Sequence, residues 1–301
     1  MRTTLIALLV IGAGAQQAQT PPATEIYLTR IAVIAGAPSV APTAVNITRN
    51  PGYDNQPSFT ADGVTMLFTS NRDGKQTDIY QYDLGNGVTT QLTKTTEDEY
   101  SPLVTPDGTG FSTVRVEADK TQRLWRFAMD GSQPALVLEN VKPVGYHVWI
   151  DATHLALFVL GANGQPNTLQ IADTATGTAA TVDSNIGRSL LIRPGTANVT
   201  YVSKPASGAW LVKELDPRTR TMQTLTPTLS GSEDCVWDPI TRWLIMGKGS
   251  KLYGWQPGVG SWREIGDVGP AGVDKITRLA ISPRQIAGAA TLAIVAEPKA
   301  K

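Results

Sequence analysis

The sequence predicts an all-β protein, a six-bladed β-propeller with four-stranded antiparallel blades that is closed by N-terminal strands completing the C-terminal blade. Three observations lead to this prediction. A unit of 43–45 residues recurs six times, each unit is rich in β-forming residues, and Pro, Asp and Gly separate the β-rich stretches. No stretch of useful length shows the periodicity of a helix.

The repeat is clearest in the first two units, where the segment PSFTADG (57–63) returns as PLVTPDG (102–108), 45 residues later. The later units keep the spacing and the apolar pattern but lose most of the motif. The anchor residues of the six units are Phe59, Val104, Trp149, Ile192, Val236 and Ile281. Spacing this regular indicates copies of one supersecondary unit.

Each unit has room for four short strands. In the first unit, the anchor strand is followed by a turn at 61–63, a second strand at 66–69, a third at 78–82 and a short fourth that ends at 92–93. Four strands in about 45 residues is typical of a propeller blade.

The last unit predicts how the ring closes. Residues 276–297 supply only the first two strands, whereas residues 25–28 match a third strand and residues 45–49 match a fourth. We therefore expect the chain ends to share one blade, which leaves no open sheet edge. Residues 36–43, rich in Pro and small side chains, are expected to form a loop inside that blade. The domain prediction is a single propeller over residues 25–297.

The N-terminal segment has the pattern of a secretory signal. Arg2 precedes an apolar run at 5–10 and small residues at 13–15, which predicts a signal peptide over residues 1–15, with an alternative cleavage site after residue 18. The apolar run is too short to span a bilayer, which takes about 20 residues. We expect a periplasmic or secreted protein without a membrane span.

Composition argues against several function classes. The chain carries 26 basic and 26 acidic residues, so it has no charge imbalance that would attract nucleic acid. One cysteine, Cys235, cannot form an internal disulfide, and two histidines are few for a metal site. We expect no cofactor, no metal, no nucleic-acid partner and a monomer.

The first unit also resembles a known family. Residues 55–93 contain a Pro/Asp/Gly-type turn, a Ser-x-Arg-Asp-Gly hairpin at 70–74, an Asp-Ile-Tyr strand at 78–80 and a Leu-Thr ending at 92–93. This unit resembles the Pro-Asp (WD-like) repeat of the TolB-like propellers. The resemblance implies a periplasmic or secreted six-bladed propeller that binds protein or small ligands in a central funnel. Because the repeat begins soon after the signal pattern, we expect a propeller without the N-terminal domain of TolB.

Polar, charged and aromatic residues precede the anchors, where loops from one blade enter the first strand of the next. This register predicts a ligand-binding funnel rim, although a rim is also polar simply because it is solvated. The candidate ligand-binding residues are Asn55, Glu99, Tyr100, Tyr146, His147, Arg188, Glu233, Asp234 and Arg278. We expect noncatalytic binding of an envelope protein or peptide, with no catalytic residues.

An enzymatic alternative remains open. Asp54, Glu99, Glu233 and Asp234 could supply paired carboxylates for a hydrolase or lyase acting on a carbohydrate or lactone, but the sequence does not set the distances between them. The acidic turn residues carry no calcium-loop pattern, and we expect them to bond their own turns; they are Asp62, Asp73, Asp107 and Asp130.

Overall fold

The structure is a computed structural model that describes residues 22–72 and 74–297. The predicted signal peptide and Asp73 lie outside the described residues. The strands, in chain order, are β1 (Glu25–Ile34), β2 (Ala37–Val40), β3 (Val45–Asn46), β4 (Asp54–Phe59), β5 (Thr65–Ser70), β6 (Asp78–Asp83), β7 (Thr89–Gln91), β8 (Asp98–Val104), β9 (Gly110–Val116), β10 (Gln122–Ala128), β11 (Ala135–Leu136), β12 (Val144–Trp149), β13 (His154–Val159), β14 (Thr168–Asp173), β15 (Thr178–Ser184), β16 (Ile186–Ile192), β17 (Val199–Ser203), β18 (Leu211–Leu215), β19 (Met222–Pro227), β20 (Cys235–Trp237), β21 (Leu244–Lys248), β22 (Lys251–Trp255), β23 (Arg263–Asp267), β24 (Asp274–Ile286) and β25 (Ala289–Glu297).

These strands form six antiparallel sheets, which are the six blades of a propeller. Blades 1 to 5 are β4–β7, β8–β11, β12–β15, β16–β19 and β20–β23, each in sequence order. The predicted fold class is confirmed. Within the described residues, the only helix is a single 3-10 turn at Gly269–Ala271. No helix in this part of the chain is long and apolar enough to cross a membrane.

Blade 6 joins the two ends of the chain, as predicted. β24 and β25 pair with each other, and β1 pairs with β25 from Glu25 opposite Ala296 to Ala32 opposite Ala289. The outer position is filled in two pieces, because β2 and β3 both pair with β1. The expected loop at 36–43 is wrong in part, since Ala37–Val40 is β2. The hairpin forms because Ala35 and Gly36 both have positive φ, 50° and 81°, which suits a tight turn between β1 and β2.

Six separate hydrophobic clusters fill the spaces between neighbouring blades. Between blades 1 and 2, Leu67 packs with Phe111 and Phe127, and the two phenylalanine rings stack at 5.3 Å. Between blades 6 and 1, Ile26 packs with Phe68. The N-terminal strand is thus part of the buried core, and its burial stabilises the closed ring.

Three of the four acidic turn residues lie in the described part of the chain, and these three have the structural role expected of them. The Asp62 carboxylate accepts hydrogen bonds from Thr60 Oγ1 at 2.6 Å and Val64 N at 3.1 Å. Asp107 and Asp130 accept equivalent bonds within their own turns. These carboxylates set the hairpins between strands.

The first strand of each blade lines the central channel, and in five of the six blades its pairing with the second strand is irregular. The pairing register shifts between Asn55 and Ser58 in β4 and between Tyr100 and Leu103 in β8. Gln56 and Ser101 have φ of 56°, an uncommon conformation for residues other than glycine. Bulges of this kind redirect side chains, so side chains at the channel mouth do not simply alternate between the two faces of the strand.

Candidate functional site

A cavity of about 190 Å³ lies in the channel and is lined by the first strands of all six blades. Its lining includes five of the nine predicted residues, Tyr146, His147, Arg188, Asp234 and Arg278. A second pocket of about 210 Å³ adjoins it between blades 4, 5 and 6. Arg188, Asp234 and Arg278 line both, and the second pocket adds Glu233 and Trp210. The structure therefore brings together six of the nine predicted residues around two connected spaces.

Arg278 links four blades. Its Nε donates to Asn55 Oδ1 at 3.1 Å, and its Nη1 lies 3.6 Å from Asp234 Oδ2. Its guanidinium also lies 5.1 Å from the centroid of the Tyr146 ring, a cation–π contact. These contacts compensate the half-buried charge of Arg278 and hold Asn55, which is buried, beneath the rim.

The negative charge of Asp234 is compensated by a backbone N–H and by nearby arginines. One carboxylate oxygen accepts the backbone N–H of Leu279 at 3.0 Å, and the other faces Arg278. Burial raises the pKa of Asp234, and the nearby Arg278 and Arg188 oppose that rise. Asp234 therefore acts as a bridge between the first strands of blades 5 and 6.

Arg188 and Glu233 meet through the backbone. Glu233 Oε1 accepts the backbone N–H of Arg188 at 2.6 Å, while Glu233 Oε2 lies 3.3 Å from Lys204 Nζ. Lys204 in turn lies 3.9 Å from the centroid of the Trp210 ring. Gly187 makes this arrangement possible, because a Cβ there would stand 2.6 Å from Glu233 Oε1.

His147 is buried and neutral. Its Nε2 lies 2.7 Å from Ser112 Oγ, which also accepts the indole N–H of Trp149 at 2.9 Å. Burial lowers the pKa of His147 to about 3. Its Nδ1 has no hydrogen-bond partner among the described residues.

Glu99 does not stand at the rim. Its side chain is completely buried, and Oε1 accepts bonds from Thr95 Oγ1 at 2.6 Å and Arg115 Nε at 3.0 Å. Burial raises the pKa of Glu99 to about 7, and this effect outweighs the lowering by Thr95 and Arg115. Its position is a correction to the rim prediction, and the physical reason is that its side chain points toward β9, where Arg115 pairs with it.

Tyr100 is half-buried beside Tyr53, with the ring centroids 6.4 Å apart in an edge-to-face arrangement. Asp54, the fourth carboxylate considered for catalysis, is completely buried and accepts bonds from Ser70 Oγ at 2.6 Å and Asn50 Nδ2 at 3.2 Å. Neither Asp54 nor Glu99 is exposed to a ligand in the channel.

Sequence reasoning missed several residues near the funnel, among them Tyr53, Lys204 and Trp210. Tyr53 lies one position before the residues that the register considered. Lys204 and Trp210 lie between β17 and β18, a connection that reaches the same end of the ring as the loops entering each first strand. Treating both sets of loops as one rim would have found them.

The described residues contain no group of three or more His, Cys, Asp and Glu side chains placed to hold one metal ion. The expectation of no cofactor and no metal stays a prediction.

Comparisons with known proteins support the fold. No family model and no curated protein matches the chain. Among solved structures, TolB from Acinetobacter baumannii matches with a TM-score of 0.58 and 13% identity over 90% of this chain and 64% of that one. The structure of putative TolB from Agrobacterium tumefaciens matches with a TM-score of 0.67 and 13% identity over 91% and 97% of the two chains.

A gluconolactonase from Xanthomonas campestris is also similar, with a TM-score of 0.62 and 9% identity over 90% of this chain and 95% of that one. The chain spans less than two thirds of the length of the Acinetobacter protein. At these identities the similarity concerns the fold alone, and the chain has a TolB-like propeller fold.

Proposed function

We propose that the protein is a noncatalytic binding module of the periplasm or the extracellular space, which holds a segment of an envelope protein or a peptide in its funnel. One observation carries this proposal. Tyr146, Arg188 and Arg278 line a cavity to which every blade contributes. Tyr53 and Tyr100, which lie shortly before the lining residues Gln56 and Ser101 in the chain, pack edge to face. Tyrosine and arginine are the residue types that most often dominate binding energy in protein interfaces.

The cavity also offers unused hydrogen-bonding groups. Ser101 Oγ, His147 Nδ1 and Arg188 Nε are buried and have no partner among the described residues, and all three residues line the channel cavity. Buried polar groups normally have partners. A bound chain segment with backbone and side-chain polar groups could supply them.

The placement of the carboxylates favours binding over catalysis. Glycoside hydrolysis takes two carboxyl groups that both face the ligand. Here Glu99 is buried, Glu233 is held by Lys204 and a backbone N–H, and Asp234 is held by Arg278 and a backbone N–H. These contacts support structural roles for the three side chains.

The second candidate is a hydrolase or lyase acting on a carbohydrate or lactone, favoured by the similarity to the Xanthomonas gluconolactonase fold. It requires a carboxylate that does chemistry, and Glu233 and Asp234 are the two that line the cavities. Turnover of a lactone or oligosaccharide panel that is lost in both Glu233→Gln and Asp234→Asn would favour the enzyme.

The binding proposal can be tested by crosslinking pull-down from an envelope fraction. We expect the native protein to recover a discrete partner, and Tyr146→Ala and Arg188→Ala to recover at least tenfold less, as loss of an interface hot spot would cause. Tyr253→Ala, on the third strand of blade 5, and Arg218→Ala, in a turn of blade 4, remove the same residue types from positions that do not line either pocket, and these variants should recover the partner normally. Equal recovery by the funnel variants and the controls would contradict the proposal.

A further inference from the structure

Arg188 carries a charge that the folded chain does not compensate directly. Its side chain is half-buried, yet among the described residues no carboxylate oxygen lies within 4.0 Å of its guanidinium. Glu233 lines the second pocket, but one of its carboxylate oxygens accepts the backbone N–H of Arg188 and the other pairs with Lys204. A half-buried charge without a counterion is costly unless a binding partner supplies one.

The Arg188 guanidinium also has N–H donors without an acceptor in the described chain. Of its five N–H groups, one donates to Thr277 O at 2.9 Å, and Nε is buried without any partner. Within the described part of the chain, Thr277 O is its only acceptor. Arg188 lines both the channel cavity and the adjoining pocket, so a group in either space could approach it.

The charge balance of the channel cavity points to an anion. The charged side chains in its lining are Arg188, Arg278 and Asp234. Asp234 pairs with Arg278 at 3.6 Å and acts on Arg188 only from beyond 4.0 Å, so these three side chains leave the cavity with one net positive charge. His147 adds no charge, because burial keeps its imidazole neutral.

His147 adds a second donor to the same cavity. The indole N–H of Trp149 occupies an acceptor position on Ser112 Oγ, because an indole can only donate. The hydroxyl hydrogen of Ser112 is then free to reach His147 Nε2 at 2.7 Å, a closer acceptor than Leu103 O at 3.4 Å. This arrangement leaves the proton of the neutral ring on Nδ1, which has no acceptor in the described chain.

We propose that Arg188 binds a carboxylate of the ligand held in the funnel, with the His147 Nδ1–H as a neutral donor in the same cavity. This inference rests on the proposed binding function and names the chemistry of its ligand. A guanidinium and a carboxylate form charge-assisted and often bidentate hydrogen bonds, which suits an arginine with several unused donors. The carboxylate could be an acidic side chain or a peptide C-terminus.

Three short peptides test the inference directly. N-acetyl-Ala-Asp-Ala-amide carries a side-chain carboxylate, N-acetyl-Ala-Ala-Ala carries a terminal one, and N-acetyl-Ala-Asn-Ala-amide carries none. Binding is followed by the Nε–H resonance of Arg188 in a proton–nitrogen correlation spectrum, assigned by its absence in Arg188→Gln. We expect at least one carboxylate peptide to bind about ten- to a hundredfold more tightly than the Asn peptide, as loss of a charged hydrogen bond implies.

The preference should vanish in Arg188→Gln and persist in Arg218→Gln, which removes an exposed arginine from a turn of blade 4. Tighter binding of the Asp peptide or of the free C-terminus identifies the source of the carboxylate. Equal affinities for all three peptides, a preference that survives Arg188→Gln, or no saturable shift with any peptide would overturn the inference. In those cases, a partner whose recovery in the pull-down depends on Tyr146 would still support the proposed binding function. The two proposals can therefore fail separately.

Discussion

Glu99 gives the sharpest test of how burial controls charge in this propeller. It is completely buried, its Oε1 accepts bonds from Thr95 and Arg115, and its Oε2 has no partner among the described residues. Burial raises its pKa from an ordinary value of 4.5 to about 7. The folded protein therefore binds a proton at Glu99 over a pH range in which the unfolded chain has released it.

The sign and size of the effect follow from linkage between proton binding and folding. Because the pKa of Glu99 is raised in the folded state, its protonation stabilises the fold. This stabilisation is fully present below pH 4.5 and is lost as the pH rises through about 7. Between about pH 5 and about pH 8 the loss is roughly 2 to 3 kcal/mol of unfolding free energy. Glu99→Gln cannot titrate, so it should lack this loss.

The assay is urea unfolding followed by tryptophan fluorescence at both pH values for the native protein and Glu99→Gln. We expect the difference between their unfolding free energies to change by roughly 2 to 3 kcal/mol, with the variant gaining relative to the native protein at the higher pH. The exposed Glu139→Gln serves as the matched control and should show no such change. A difference that is constant with pH would refute the reasoning and show that Arg115 keeps Glu99 ionised.

Two further predictions concern the core and the channel. Ile26→Ala should lower the unfolding free energy by about 2 to 5 kcal/mol, because Ile26 is fully buried between blades 6 and 1, whereas Val45→Ala, 59% exposed, should change it by less than about 0.5 kcal/mol. If urea unfolding showed an equally small loss of unfolding free energy for both variants, the result would contradict the packing of the N-terminal strand into the core of the closed ring. His147 has a lowered pKa, so its stabilising contribution is fully present above pH 6.5 and is lost as the pH falls toward about 3. Between about pH 7.5 and about pH 5, the unfolding free energy of His147→Gln should therefore fall by roughly 2 kcal/mol less than that of the native protein. Identical pH profiles of the two proteins would contradict a lowered pKa at His147.

The blades could be predicted from the sequence because each one depends on local signals. Turn residues such as Asp62 and Asp107 recur at the repeat spacing and bond within their own hairpins, and the missing strands of the last unit could be matched to residues at the N-terminus. The hairpin that contains β2 was missed because proline and small residues at 36–43 read equally well as a loop.

The site could be predicted only in part because its geometry depends on distortions of the first strands. Spacing placed Glu99 and Tyr100 together at the rim, but the side chain of Glu99 points to Arg115 instead. The register shift between Tyr100 and Leu103 changes which side chains face the channel, and no single-residue signal marks such a bulge. Which charges compensate each other, as Arg278 and Asp234 do, depends on distances between blades that spacing along the chain does not give.

The central claim is that the funnel holds a segment of another chain, and photo-crosslinking from Tyr146 tests it most directly. A photoreactive phenylalanine analogue replaces Tyr146 in one protein and the half-buried Tyr253, on the third strand of blade 5, in another. After irradiation in the intact envelope, mass spectrometry identifies the attached peptides. We expect position 146 to capture one defined segment of one envelope protein or peptide and position 253 not to capture it. The same products at both positions, or none at position 146, would contradict the claim.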